Sequence, residues 1–162
     1  MSEATTIVTV VAAVGSALVG GIFFAFSSFV MRALDALGPV EATRAMQSIN
    51  RTVLHPSFLG VFLGTAVGAV VVAVMHWGGP GSMPALAGAV AYVVGTFGVT
   101  GVFNVPRNDA LAEVQADSDE VDEAWTRYRR EWTRWNHLRT GMAVLAAILL
   151  LTASLVTTPP PP

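Results

Sequence analysis

The chain has 162 residues, of which 53% are hydrophobic and 12% charged, with a formal charge of −2 and no cysteine. That charge content is about half the ~25% of an ordinary soluble domain, and one small core cannot bury such an apolar excess. The charge balance speaks against a nucleic-acid partner, and the lack of cysteine excludes a disulfide framework or a thiolate metal site.

In chain order, four apolar runs reach the roughly 20 residues that a bilayer requires. They cover about 5–30, 57–76, 83–103 and 139–156. Each is expected to be helical, because an isolated strand in lipid leaves its backbone polar groups unpaired. The first run lacks the basic flank of a signal peptide and is too long for one, so a retained helix is expected. The connections, about 39–55 and 109–138, are expected to be helical as well. Pro39 opens the first. In the second, Val121, Trp125, Tyr128, Trp132 and Trp135 recur at helical spacing and predict an aromatic stripe. That stripe is expected to project from the membrane on a helix of roughly 40 residues that enters the fourth span unbroken. The expected fold class is all-α: a single domain over 1–162, an integral membrane four-helix bundle with cytoplasmic helical extensions. Gly60, Gly64 and Gly68 on the second span, and Gly88, Gly95, Gly98 and Gly101 on the third, are expected to let helices approach closely.

All nine basic residues are arginine, and all lie in the two long connections or at their borders. The positive-inside rule puts those connections in the cytoplasm and both termini outside, with the plasma membrane as the expected location. Trp77, on the opposite face, is expected to be an interface anchor, and His76 beside it to be solvated.

Three polar clusters share the arginine-bearing face: INRTVLHP, FNVPRND and RWNHLRT. They bring Asn50, Arg51, His55, Asn104, Arg107, Asn108, Trp132, Trp135, Asn136, His137 and Arg139 to one depth. Tryptophan and arginine at such a boundary serve as anchors and topology signals without any further role. Asparagine does not, and an unpaired buried amide costs energy. Asn50, Asn104, Asn108 and Asn136 are all the asparagines in the chain, and each falls in one of these clusters. A shared pocket is the expectation.

Two chemistries suit these residue types. His55 and His137 are candidates for a metal or haem iron, yet no HxxH or HExxH spacing supports a metal site. The favoured expectation is proton abstraction from an aromatic carbon acid without a cofactor. His137 is the preferred base and His55 the alternate, with Asn104, Asn108, Asn136 and Arg139 steadying the oxyanion. Trp132 and Trp135 would hold a flat ring system, Phe26 with Phe23, Phe24 and Phe29 would form apolar walls, and Asn50, Arg51 and Arg107 would contact substrate. From a different class comes a non-catalytic membrane module binding a lipid, a quinone or a partner protein through the aromatic stripe.

The stretches GGIFFAFSSFVMRAL, AMQSINRTVLHPSF, FNVPRNDAL and WTRYRREWTRWNHLRT resemble the anthrone oxygenase-like family of small four-helix membrane proteins. The resemblance implies oxidation of an anthrone's central CH₂ to a carbonyl by dioxygen, with no metal or organic cofactor. The implied partners are therefore a small aromatic substrate, dioxygen and membrane lipid. The roles given to individual histidines and asparagines come from their chemistry, not from the family.

Overall fold

The computed structural model describes residues 2–156. It contains five helices. α1 covers Glu3–Asp35 and opens at Ser2, whose hydroxyl accepts from the Thr5 N–H, with Glu3 in the first turn; cap and acid both suit a helix N-terminus. α2, Pro39–Thr52, follows Gly38, which sits at φ +86°. Only glycine turns the chain there without strain, and Pro39 is pre-set for the first helical position. α3 covers Pro56–Met75, α4 Ser82–Ala112 and α5 Val121–Val156.

Four of these helices, α1, α3, α4 and α5, are long and apolar enough to cross a membrane. α1 packs on α5 and α3, and α4 packs on the same two helices from the other side, which closes a four-membered bundle. Its interior is built from small and aromatic residues, among them Ala12, Val19, Phe23, Phe62, Ala69, Tyr92, Ala146 and Leu150. Polar side chains bond backbone across helix boundaries: Ser16 donates to the Ala143 carbonyl at 2.8 Å and Tyr92 to the Phe62 carbonyl at 3.2 Å. In a dry interior these hydroxyls need such partners. Ile7, Val11, Val14, Val67, Val74, Val94 and Ile148 point outward, as lipid-facing side chains do.

Three expectations are corrected. The connection 109–138 is not helical throughout, because α4 runs through Pro106 to Ala112 and turns occupy 113–120; from Val121 onward α5 enters the fourth span unbroken, as expected. Pro106 is tolerated because α4 switches to i→i+5 hydrogen bonding over Thr100–Asn104, just ahead of the proline that cannot donate. Nor does the aromatic stripe project. Trp125, Tyr128 and Trp132 are buried with Met31, Leu34, Met46 and Leu111 in a second core, formed where α2 folds across the end of the bundle. Trp125 Nε1 donates to Asp35 at 2.9 Å, and Asp35 also pairs with Arg129. Finally, His76 is buried at 4% exposure, its Nδ1 bonded to the Val72 carbonyl at 3.0 Å; Trp77 is 77% exposed.

The glycine pattern divides in two. A Cβ at Gly60 or Gly64 would meet nothing, so these two face away from the bundle, whereas one at Gly68 would touch Ala12 of α1 at 3.5 Å. Close approaches lie at Gly15, against Thr65 of α3, at Gly88, where a Cβ would lie 3.0 Å from Leu150 Cγ, and at Gly95, 2.7 Å from Met142 Cβ. Gly95→Ala therefore forces α4 from α5 and should cost about 1–3 kcal/mol. Gly64→Ala should be near neutral, since alanine favours helix and has room. Unfolding midpoints in detergent distinguish the two. The sequence beyond 156, including the proline tail expected outside, lies outside the described residues.

Candidate functional site

A cavity of about 360 Å³ opens at the arginine-bearing end of the bundle, within the size range of small-molecule sites. Phe23 and Phe26 of α1, Phe58 and Phe62 of α3, and Trp132 of α5 supply aromatic walls. Phe26 and Trp132 stand 5.6 Å apart between ring centroids, and Phe58 stacks on Phe62 at 5.7 Å. α2 and the turn after it roof the cavity with Met46, Gln47, Asn50, Arg51 and Leu54, while Thr100, Asn108 and Asp109 enter from α4. Leu54, Asp109 and Ala112 are exposed, so the mouth lies between the α2–α3 turn and the end of α4.

At the floor sits Arg139, only 5% exposed. Its guanidinium carbon lies 3.8 Å from the Phe23 ring centroid and 4.9 Å from that of Trp132. Nε donates to Asn136 Oδ1 at 2.8 Å, and Nη1 donates to Thr100 Oγ1 at 3.3 Å. No carboxylate pairs with it among the described residues. A cation desolvated to this degree is costly, and the aromatic faces offset only part of that cost. An anionic ligand group would complete the compensation.

Asn136 holds this cation in place, and the other asparagines brace the elements around it. Asn136, fully buried, donates its amide to the Phe23 carbonyl at 2.7 Å and to Ser27 Oγ, which ties α5 to α1. Asn104, also fully buried, donates to the Trp132 carbonyl at 3.2 Å. The wide i→i+5 turns of α4 present Thr96, Thr100 and Asn104 to α5 together: Thr96 bonds the Arg139 carbonyl at 3.3 Å. Such turns frequently mark functional positions. Asn108 Oδ1 accepts from the Tyr128 hydroxyl at 2.9 Å. Among the buried donors without a hydrogen-bond partner in the described residues, Trp132 Nε1 and Asn50 Nδ2 belong to residues that line the cavity, Asn50 lying beside the Tyr128 hydroxyl. Unpaired buried donors are rare in proteins and suit an oxygen-bearing ligand.

Of the residues singled out in the sequence, Asn50, Arg51, Asn108, Trp132, Arg139 and Phe26 line the cavity, with Asn104 and Asn136 in the layer behind. The others go elsewhere. His55 is exposed and caps α3, its Nδ1 accepting from the Ser57 N–H at 3.3 Å. His137 is exposed and lines a separate groove between α1 and α5, because one step along a helix from the inward-facing Asn136 turns a side chain by about 100°. The expectation of an imidazole base in the pocket is corrected accordingly, and the two histidines share no metal site. Trp135 stacks on Phe103 at 3.5 Å instead of facing the cavity, and Arg107 pairs with Glu131 at 3.1 Å. Among the described residues no group of three His, Asp or Glu side chains is placed to hold a metal ion. Sequence reasoning missed Tyr128 as a hydrogen-bonding partner and Asp109, Thr100, Phe58 and Phe62 as lining. Asp109 stood next to Asn108 in a cluster already marked, and was the one legible signal.

The fold and site thus define a four-span helical membrane protein with an aromatic cavity over a buried, unpaired cation. The family model for anthrone oxygenase matches residues 51–149, most of the chain, and the protein belongs to that family. Neither a curated protein nor a solved structure matches the chain.

Proposed function

We propose that this protein oxidises a flat phenolic or polycyclic substrate of the anthrone type with dioxygen, in the cavity above Arg139. The observation that carries the reading is the guanidinium itself: buried, without a carboxylate, and stacked between Phe23 and Trp132. An anthrone slides between the aromatic walls with its carbonyl oxygen toward Arg139, the Trp132 N–H and the Asn50 amide. Those donors stabilise the enolate that forms when the opposite CH₂ loses a proton, each well-placed donor contributing about 3–4 kcal/mol. Asp109, the one carboxylate lining the cavity among the described residues, takes the proton near the mouth. The electron-rich ring transfers an electron to dioxygen, and the radical pair joins to form a C–O bond. The resulting peroxide anion takes up a proton to become a hydroperoxide. The same carbon then loses its second proton as the O–O bond breaks, and the departing hydroxide leaves with that proton as water, giving a quinone. One CH₂ and one O₂ are consumed, and one C=O and one H₂O form. Arginines gathered at this end favour a cytoplasmic mouth, with the Ser2 end outside and the plasma membrane as the location.

Dioxygen consumption by purified protein with a panel of anthrones tests the reading. One O₂ per quinone is expected, and turnover undiminished in anaerobic buffer would overturn it. Inactivity on every phenolic substrate, with a retained lipid or quinone, would favour the non-catalytic binding module. His137→Ala and His55→Ala should keep most of their turnover, far from the ~10²–10⁴-fold loss that follows removal of a general base. Asp109→Asn should show that larger loss in kcat with KM little changed.

A further inference from the structure

Beyond the α1–α5 contact, away from the cavity, lies a groove of about 450 Å³ lined by Arg32 of α1 and by Arg129, Arg130, Thr133, Arg134 and His137 of α5. Arg129 is taken up by Asp35. Arg32, Arg130 and Arg134 have no ion pair among the described residues. Thr133 Oγ1 is buried with no hydrogen-bond partner. Among the described residues the groove therefore offers three guanidiniums without an ion pair and an unpartnered hydroxyl, and no acid belongs to its lining. This is an anion site by composition, and guanidinium forks match phosphate oxygens two at a time.

Its position narrows the ligand. Arg130, Arg134 and His137 succeed one another at steps of four and three along one face of α5. The same line continues into the span as Gly141, Val144 and Ile148. A Cβ at Gly141 would meet nothing, and Val144 and Ile148 are 45% and 56% exposed. A basic groove at the end of the bundle thus runs directly into an open apolar track, with a notch at Gly141 between them. A soluble phosphate would use only the first half of this surface, and an acidic peptide would gain nothing from a track inside the bilayer. We infer that the groove holds the phosphodiester headgroup of an anionic glycerophospholipid, with an acyl chain lying along Gly141, Val144 and Ile148. Basic pockets at the ends of membrane helices bind such headgroups. The site is independent of the oxidation proposed for the cavity.

The test uses the full chain purified in detergent and titrated with phosphatidylglycerol or phosphatidylcholine, with bound lipid read by native mass spectrometry. Wild type should bind phosphatidylglycerol in preference to phosphatidylcholine. The double variant Arg130→Gln, Arg134→Gln should lose about tenfold or more of that affinity. Arg127→Gln, which lines a different groove beside Glu120 and Glu123, should bind like wild type. Gly141→Leu fills the notch without touching a charge and should also weaken binding. Thermal midpoints in phosphatidylcholine alone confirm that each variant is folded. The proposal is overturned by equal binding of the two lipids, by undiminished binding in the double variant or in Gly141→Leu, or by an equal loss in Arg127→Gln. Displacement of the lipid by millimolar inorganic phosphate would also overturn it, since it would show a site for soluble anions.

Discussion

Replacing Arg139 by methionine is expected to lower kcat on an anthrone by about 10²–10³-fold while leaving the bundle folded. The magnitude follows from the site's dryness: an oxyanion forming against a buried guanidinium is stabilised far more than one forming in water. Folding survives because no carboxylate pairs with Arg139 among the described residues, so its removal strands no opposite charge. Methionine keeps the apolar stem between Phe23 and Trp132. Arg139→Lys preserves charge but not the planar fork that engages Asn136 and Thr100 at once, and an intermediate rate is expected. Oxygen uptake and quinone formation, with KM separated from kcat, measure the effect; a methionine variant at full rate would remove Arg139 from the chemistry.

The second large effect concerns Asn136, which touches the reaction only through Arg139. Asn136→Ala should destabilise the protein by about 2–4 kcal/mol and also depress kcat. The alanine cuts the bonds from α5 to the Phe23 carbonyl and Ser27, and it leaves the buried Arg139 Nε without an acceptor. The decisive measurement is the combination with Arg139→Met. Once the cation is gone its missing acceptor no longer matters, so the double variant should be less destabilised than the two single losses added together. Strict additivity of the unfolding free energies would mean that Asn136 merely joins two helices.

The division of the glycines illustrates how far pattern reading carries. Spacing alone made Gly60, Gly64 and Gly68 look like a helix seam, yet the bundle rotates α3 so that the first two face outward, while Gly95 closes on Met142. A periodic stripe states which residues share a face, not what that face meets. The aromatic stripe of α5 taught the same lesson in reverse. Its face was legible in Trp125, Tyr128 and Trp132, but burial beneath α2 depended on the turn at Gly38 sending α2 back over the bundle end.

By itself the sequence determined the class of molecule. Runs of hydrocarbon long enough to span a bilayer leave helices as the economical way to satisfy the backbone, and four asparagines clustered at one end mark where polar groups are needed. Tertiary structure alone decided which polar groups share the cavity. Asn136 and His137 are adjacent in the chain, and a helix turns about 100° between them, so one reaches Arg139 while the other faces a groove outside. Membrane depth is a property of position along a helix, readable from composition. The direction a side chain takes at that depth is set by how the helices rotate as they pack, and no single segment contains that information.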